Sequence, residues 1–183
     1  MLWGGYLGTF EVRATGGETR LSASFPYNRE ATLAEGRAEV FAPRAFAGRI
    51  NAGADIHLLF GHDYDRPLAS RGAGSLTVTD SDDALRIEAR VQGDTSWARD
   101  FLAAHASGLI RGLSPGFQVP AGGDSIERRG TGLLRTVRTA DLFEVSVVTR
   151  PAYPSAQVEA RNWQATPLAT QRTHPHPLHK WRV

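Results

Sequence analysis

Three segments of this 183-residue chain carry groups able to move a proton: Gly61-His62-Asp63, Gly112-Leu113-Ser114-Pro115-Gly116-Phe117 and Leu142-Phe143-Glu144-Val145-Ser146. A serine hydroxyl is a weak nucleophile until a base takes its proton, and imidazole is the side chain whose ordinary pKa suits that task near neutrality. A carboxylate at the second ring nitrogen fixes the tautomer and steadies the imidazolium. Ser114, His62 and Glu144 are therefore the candidate nucleophile, base and orienting acid of a serine hydrolase. The order along the chain, His then Ser then Glu, is informative because each known triad architecture keeps its own order while the geometry recurs.

Taken singly, each residue has a plainer reading. A histidine just past an apolar strand is more often a hydrogen-bonded structural residue, a strand serine lets a neighbouring chain pack closely, and a glutamate pairs with an arginine. Their joint occurrence favours chemistry. Strand alternation puts Leu113, Pro115 and Phe117 on one face and Gly112, Ser114 and Gly116 on the other, so Ser114 lies between glycines with open space expected around its hydroxyl. Ser146 shares a face with Glu144 and reads either as a group supporting the carboxylate or, by preference, as a polar strand position, and Asp63 reads as a support for the His62 loop.

Two other chemistries fit poorly. Gly112-Leu113-Ser114-Pro115-Gly116 matches the G-x-S-x-G nucleophile elbow. That elbow requires a following helix, a histidine placed last and a backbone N–H after the serine, whereas Phe117-Gln118-Val119-Pro120 reads as extended and Pro115 has no N–H. His57, His62, Asp63 and Asp65 have metal-binding side chains but no recognised ligand spacing, and His174 and His176 fit still less, so no metal and no cofactor is expected.

Composition limits what can hold these groups. A chain of this length makes one domain that buries roughly two-thirds of its surface. With no cysteine there is neither a disulfide framework nor a thiolate zinc site, and an intracellular setting is expected. No apolar run approaches the ~20 residues that cross a bilayer, so no membrane partner is expected. The net charge of +2 conceals an asymmetry: Arg161, Arg172, Lys180 and Arg182 lie in an acid-free C-terminal stretch, and the preceding residues are nearly neutral. Nucleic-acid binding needs a clustered basic face, and none is visible.

The elements that must position the candidates read as strands with a few helices. Gly5–Val12 and Thr19–Phe25 flank Ala14-Thr15-Gly16-Gly17 as a hairpin, and Ser75–Thr79 with Leu85–Val91 form a second around Asp80-Ser81-Asp82-Asp83. Ala42–Ile50 reads as a short helix, and Ser96 to about Ser107 as a second, capped by Asp94 or Thr95 and ended by Gly108. Ile56–Phe60 is a buried strand that delivers His62, followed by a loop through Pro67. Ile110–Val119 and Leu133–Thr139 are strands around a Gly-rich loop from Ala121 to Gly132, and Leu142–Thr149 is the last strand. Residues 1–160 are expected to form the folded domain and 161–183 a polar tail. The expected fold is mainly β with flanking helices (α+β), closed or partly closed as an antiparallel barrel.

These segments resemble the head-maturation (prohead) serine proteases of tailed bacteriophages and their relatives in gene transfer agents, distant kin of the herpesvirus assemblin proteases. The resemblance runs from about Tyr6 to Ala160, through Phe25-Pro26-Tyr27-Asn28, Glu39-Val40-Phe41-Ala42-Pro43-Arg44-Ala45-Phe46 and Leu58-Leu59-Phe60-Gly61-His62-Asp63. It continues in Ile110-Arg111-Gly112-Leu113-Ser114-Pro115-Gly116-Phe117 and Leu142-Phe143-Glu144-Val145-Ser146-Val147-Val148-Thr149-Arg150-Pro151-Ala152. It implies an assemblin-type β-barrel and a serine endopeptidase that cleaves capsid or scaffold segments inside the immature head, within the bacterial host cytoplasm. His62 is then the base, Ser114 the nucleophile and Glu144 the third member, where assemblins use a second histidine. Pro115 departs from the residue many members carry, so oxyanion stabilisation must come from elsewhere, by analogy with assemblins from an N–H near Arg150. Self-processing of the tail and a homo-oligomer are further expectations. The competing functions are a catalytically silent internal scaffold or assembly factor and a small-substrate esterase.

Overall fold

The structure is a computed structural model and describes residues 2–3, 9–15, 18–110 and 112–149. The expected boundary at 160 and the tail at 161–183 lie outside the described residues, as does Arg150. In chain order the first strands are β1 (Leu2–Trp3), β2 (Thr9–Thr15), β3 (Glu18–Pro26), β4 (Ala31–Ala34) and β5 (Arg37–Phe41). Helix α1 (Ala47–Asn51) precedes β6 (His57–Phe60), β7 (Asp63–Ser70), β8 (Leu76–Asp80) and β9 (Ala84–Val91). Helix α2 (Ser96–Ala106) precedes β10 (Gly112–Gln118), β11 (Asp124–Arg129), β12 (Gly132–Val137) and β13 (Asp141–Val148).

The strands assemble into three open sheets, ordered β1-β10-β13-β6-β7, β11-β12-β5-β4 and β2-β3-β9-β8. Mainly-β architecture with two short helices is as expected, but the described strands close no barrel and are not all antiparallel. Pairings β13–β6 and β12–β5 are parallel. Parallel neighbours need long crossovers, and here each partner comes from the opposite half of the chain. Hairpin periodicity reports only local pairing, so this wiring lay beyond the alternation pattern.

Both expected pairings form, as β2–β3 and β8–β9; in the first, Ala14 and Thr15 extend β2 instead of turning, and residues 5–8, 16 and 17 lie outside the described residues. Leu85, Ile87, Ala89 and Val91 of β9 are all buried, opposite Leu21, Ala23 and Phe25 of β3 on the same inner face. Three phenylalanines knit the sheets together. Phe41 of β5 lies 5.2 Å from Phe46, just before α1, and 5.1 Å edge-on from Phe117 of β10, with Phe46 and Phe117 5.8 Å apart.

Helix α1 is shorter than expected because Arg44 adopts φ +57, off the helical path, so residues 43–46 form turns and only Ala47–Asn51 wind. Helix α2 follows its signals: Thr95 Oγ1 accepts the Ala98 N–H at 3.3 Å, and Gly108 at φ +70 ends the turn. Trp97 Nε1–H donates to the Pro67 carbonyl at 2.8 Å, tying α2 to β7.

Two corrections concern strands hidden by polar residues. The expected loop through Pro67 is strand β7, which tolerates proline because it lies at the sheet edge, where its register against β6 shifts. Within the expected Gly-rich loop 121–132 lies β11, whose sequence Asp-Ser-Ile-Glu-Arg-Arg is largely exposed and offers no apolar alternation to read.

The second sheet holds a buried charge pair. Arg135 of β12 and Glu39 of β5 are register partners, both nearly fully buried, with Nη1 3.1 Å from Oε2; Arg135 Nε also donates to Asp124 Oδ2 at 2.5 Å. Breaking such a pair leaves an uncompensated charge, whereas replacing both members with apolar residues is often neutral. Arg135→Met is expected to lower unfolding free energy by about 3–5 kcal/mol, and Arg135→Met with Glu39→Leu to recover most of it. Urea titrations check this; equal losses in the single and double variants would contradict it.

Candidate active site

Strand β13 lies between β10 and β6, and its central residues are buried on both faces. Across the antiparallel β10–β13 ladder, Ser114 stands opposite Ser146 and Gly116 opposite Glu144. Directly opposed residues share a face, so Ser114, Gly116, Glu144 and Ser146 form one small square. Leu113, Phe117, Val145 and Val147 belong to the core. Strict alternation from Leu142 would put it on the Glu144 face. A register shift prevents this: Gly116 pairs with Glu144 but Phe117 with Leu142, so Phe143 is an extra, bulged residue and Leu142 joins the core beside Phe117. The Arg49 guanidinium lies 4.2 Å above the Phe143 ring.

His62 arrives through a tight reversal. Phe60 and Asp63 are register partners, and the two residues between them have φ +65 (Gly61) and φ +64 (His62), making the two-residue hairpin loop between β6 and β7. Left-handed backbone costs a non-glycine residue on the order of 1 kcal/mol, and histidine is among the types that tolerate it. The tip is fastened to β13 at two points: Gly61 N–H donates to the Val147 carbonyl at 3.1 Å, and His62 N–H to Ser146 Oγ at 3.0 Å.

From that tip the imidazole turns onto Glu144. His62 Nδ1 is 3.0 Å from Glu144 Oε1, and Ser146 Oγ–H donates to Oε2 at 2.6 Å. The Glu144 side chain is fully buried and His62 is 19% exposed. A carboxylate accepts, so Nδ1 carries the hydrogen of this bond. Both carboxylate oxygens have a donor, which a buried charge requires. Glycine at 116 makes the space: a Cβ there would sit 1.8 Å from Glu144 Oε1. The room expected around the serine hydroxyl at this position is therefore filled by the carboxylate.

Ser114 is fully buried, and among the described residues its Oγ has no hydrogen-bond partner. The structure thus bonds His62 to Glu144, sets Ser114 one cross-strand pair away, and forms no Ser114–His62 hydrogen bond. Asp63, expected to support the His62 loop, bonds on the side of the loop that enters β7: its carboxylate accepts from Asp65 N–H at 2.9 Å and pairs with Arg66 at 3.2 Å. Among the described residues, no three His, Asp or Glu side chains gather as metal ligands.

Two neighbours of the pair carry more than the sequence reading assigned them. Ser146, read by preference as a polar strand position, takes instead the supporting role, binding both the His62 backbone and Glu144. A serine two residues from the glutamate on the same strand face was the available signal. Tyr64, half-exposed beside the His57 ring, has its phenol pushed up first by burial and then by the Glu144 charge, with Arg49 opposing.

The sequence profile of the caudovirus prohead serine protease family matches residues 9–169. No curated protein matches the chain, and no solved structure does.

The clash at Gly116 yields a direct test of the His62–Glu144 bond. Gly116→Ala is expected to displace the carboxylate, abolish the low-field Nδ1–H proton resonance of His62, and cost about 1–3 kcal/mol of stability. Nitrogen-edited NMR of histidine-labelled protein reads the first effect. Persistence of that resonance in the alanine variant would show that the bond does not depend on a bare backbone at 116.

Proposed function

The chain belongs to the caudovirus prohead serine protease family and so to the serine peptidases, and from this we propose that His62, Ser114 and Glu144 are its catalytic triad. The observation that carries the assignment is the 3.0 Å contact between His62 Nδ1 and the buried Glu144 carboxylate, on a sheet whose neighbouring strand carries Ser114. It leaves Nε2 as the basic nitrogen. Ser114 Oγ, which has no competing hydrogen bond, engages Nε2 when substrate is bound, since catalytic contacts commonly tighten in the Michaelis complex.

The reaction then proceeds by acyl transfer. Ser114 Oγ attacks the scissile carbonyl carbon, its proton passes to His62 Nε2, and the carbonyl π pair moves onto oxygen. Collapse of the tetrahedral intermediate breaks the C–N bond, and His62 returns the proton to the departing amine. Water, deprotonated by the same nitrogen, attacks the Ser114 ester, and release of the acid restores the hydroxyl. Glu144 remains a carboxylate throughout and stabilises the imidazolium through Nδ1. Residue 115 is a proline, so the oxyanion is held by donors other than its backbone.

Family membership suggests capsid maturation, with a capsid protein as substrate and a place inside the procapsid in the host. The finer reading is an endopeptidase that cleaves capsid or scaffold segments and processes itself, with residues 1–160 as the catalytic unit and the acid-free 161–183 stretch as a removable tail. A second reading, a silent internal assembly factor, draws on the enclosed and unbonded Ser114 hydroxyl.

A fluorophosphonate probe separates the two. Labelling confined to Ser114, abolished by Ser114→Ala and slowed by His62→Ala, is expected; protein that never labels while its capsid substrate stays intact would make the assembly role the better account. Glu144→Gln keeps the shape but loses the charge, and should slow substrate cleavage by about 10²–10⁴-fold. Co-expression of Ser114→Ala with the capsid protein should leave that protein at full length. Intact mass of active protein should show a loss at the C-terminal tail; an unchanged mass alongside full activity removes self-processing.

A further inference from the structure

Ser146 is fully buried and holds a single proton with two lone pairs. That proton goes to Glu144 Oε2 at 2.6 Å, within the range of a charge-assisted O–H···O⁻ bond. On its acceptor side it takes the His62 backbone N–H at 3.0 Å. The other carboxylate oxygen meets His62 Nδ1 at 3.0 Å. A closed ring results, running from the His62 backbone through the Ser146 hydroxyl and the Glu144 carboxylate to the His62 imidazole. One hydroxyl therefore ties both ends of His62, main chain and ring, to a single carboxylate.

The strain in the turn makes this connection consequential. His62 is held at φ +64, where a non-glycine residue is not at rest, so the direction of its ring depends on what fastens the turn. A lysine or apolar residue at 146 could bury area but could not accept that N–H.

We propose that Ser146 is a positioning residue of the catalytic machinery: it sets the imidazole direction by fixing the His62 backbone and the Glu144 carboxylate together. This inference rests on the triad assignment above. A serine that merely stabilised the fold would change melting temperature and leave the turnover of folded protein and its pH dependence alone.

The test compares Ser146→Ala, Ser146→Thr and Ser146→Val in the full chain, using the Ser114 fluorophosphonate labelling rate against pH and kcat and KM on the capsid substrate. Folded Ser146→Ala should lose about 10- to 100-fold in kcat, the equivalent of one or two lost hydrogen bonds. KM should stay within about twofold, because no substrate contact is removed. The acid limb of the labelling profile should move to higher pH, since a carboxylate deprived of one donor holds the imidazolium proton more tightly. Threonine, which restores the hydroxyl, should recover the rate, and valine, of similar size without it, should behave as alanine. Parental kcat and an unmoved profile in Ser146→Ala would overturn the proposal while the triad stands. Failure of the parent protein to label at Ser114 would remove the triad, and this inference with it.

Discussion

A carboxylate with no access to water dictates the architecture around it. Glu144 is fully buried between β10 and β6, and a charge so placed is tolerated only when its oxygens are saturated by donors. Saturation here makes three demands. Residue 116 must lack a side chain, residue 146 must offer a hydroxyl, and residue 62 must turn its ring inward from the tip of a hairpin. Each demand is met by a different strand or turn. The bulge at Phe143 adds a fourth, since without it Leu142 and Glu144 would compete for the same face.

The parallel β13–β6 ladder lets these demands be met at once. It sets Val147 beside Phe60, so the chain leaving β6 reaches Ser146 and Glu144 within two residues. His62 and Glu144 are 82 positions apart in sequence, and the pairing that joins them is formed by strands with no hairpin between them. Non-local pairing of this kind must overcome loop-closure entropy. The pairing that joins β6 to the five-stranded sheet is thus the one that brings His62 to Glu144, and the sheet is anchored to the core through Phe117, next to Gly116, and its contacts with Phe41 and Phe46.

Much of this was legible beforehand, and the misses share a cause. Leu85, Ile87, Ala89 and Val91 alternate cleanly, so β9 and its hairpin could be read directly; Thr95 and Gly108 bracketed α2 by their capping chemistry. His62 and Glu144 were named from residue type, and the structure joins them. What stayed hidden was whatever depends on a second strand. Polar β11 and proline-bearing β7 are strands only because neighbours pair with them, and the open sheets follow from crossovers that periodicity does not encode. The space beside Gly116 was visible as a missing side chain, but its occupant could be known only from the register that sets Glu144 opposite. Ser146 was given the lesser of its two readings because its other partner, the His62 N–H, comes from a turn 84 positions away.

The enclosure of Ser114 bears on tempo. A hydroxyl with no solvent-accessible surface is reached by any reagent only during excursions in which the surrounding chain parts, so the rate of any reaction at it scales with the fraction of time spent open. Temperature, which shifts such openings, would therefore change access to this oxygen without altering the oxygen itself.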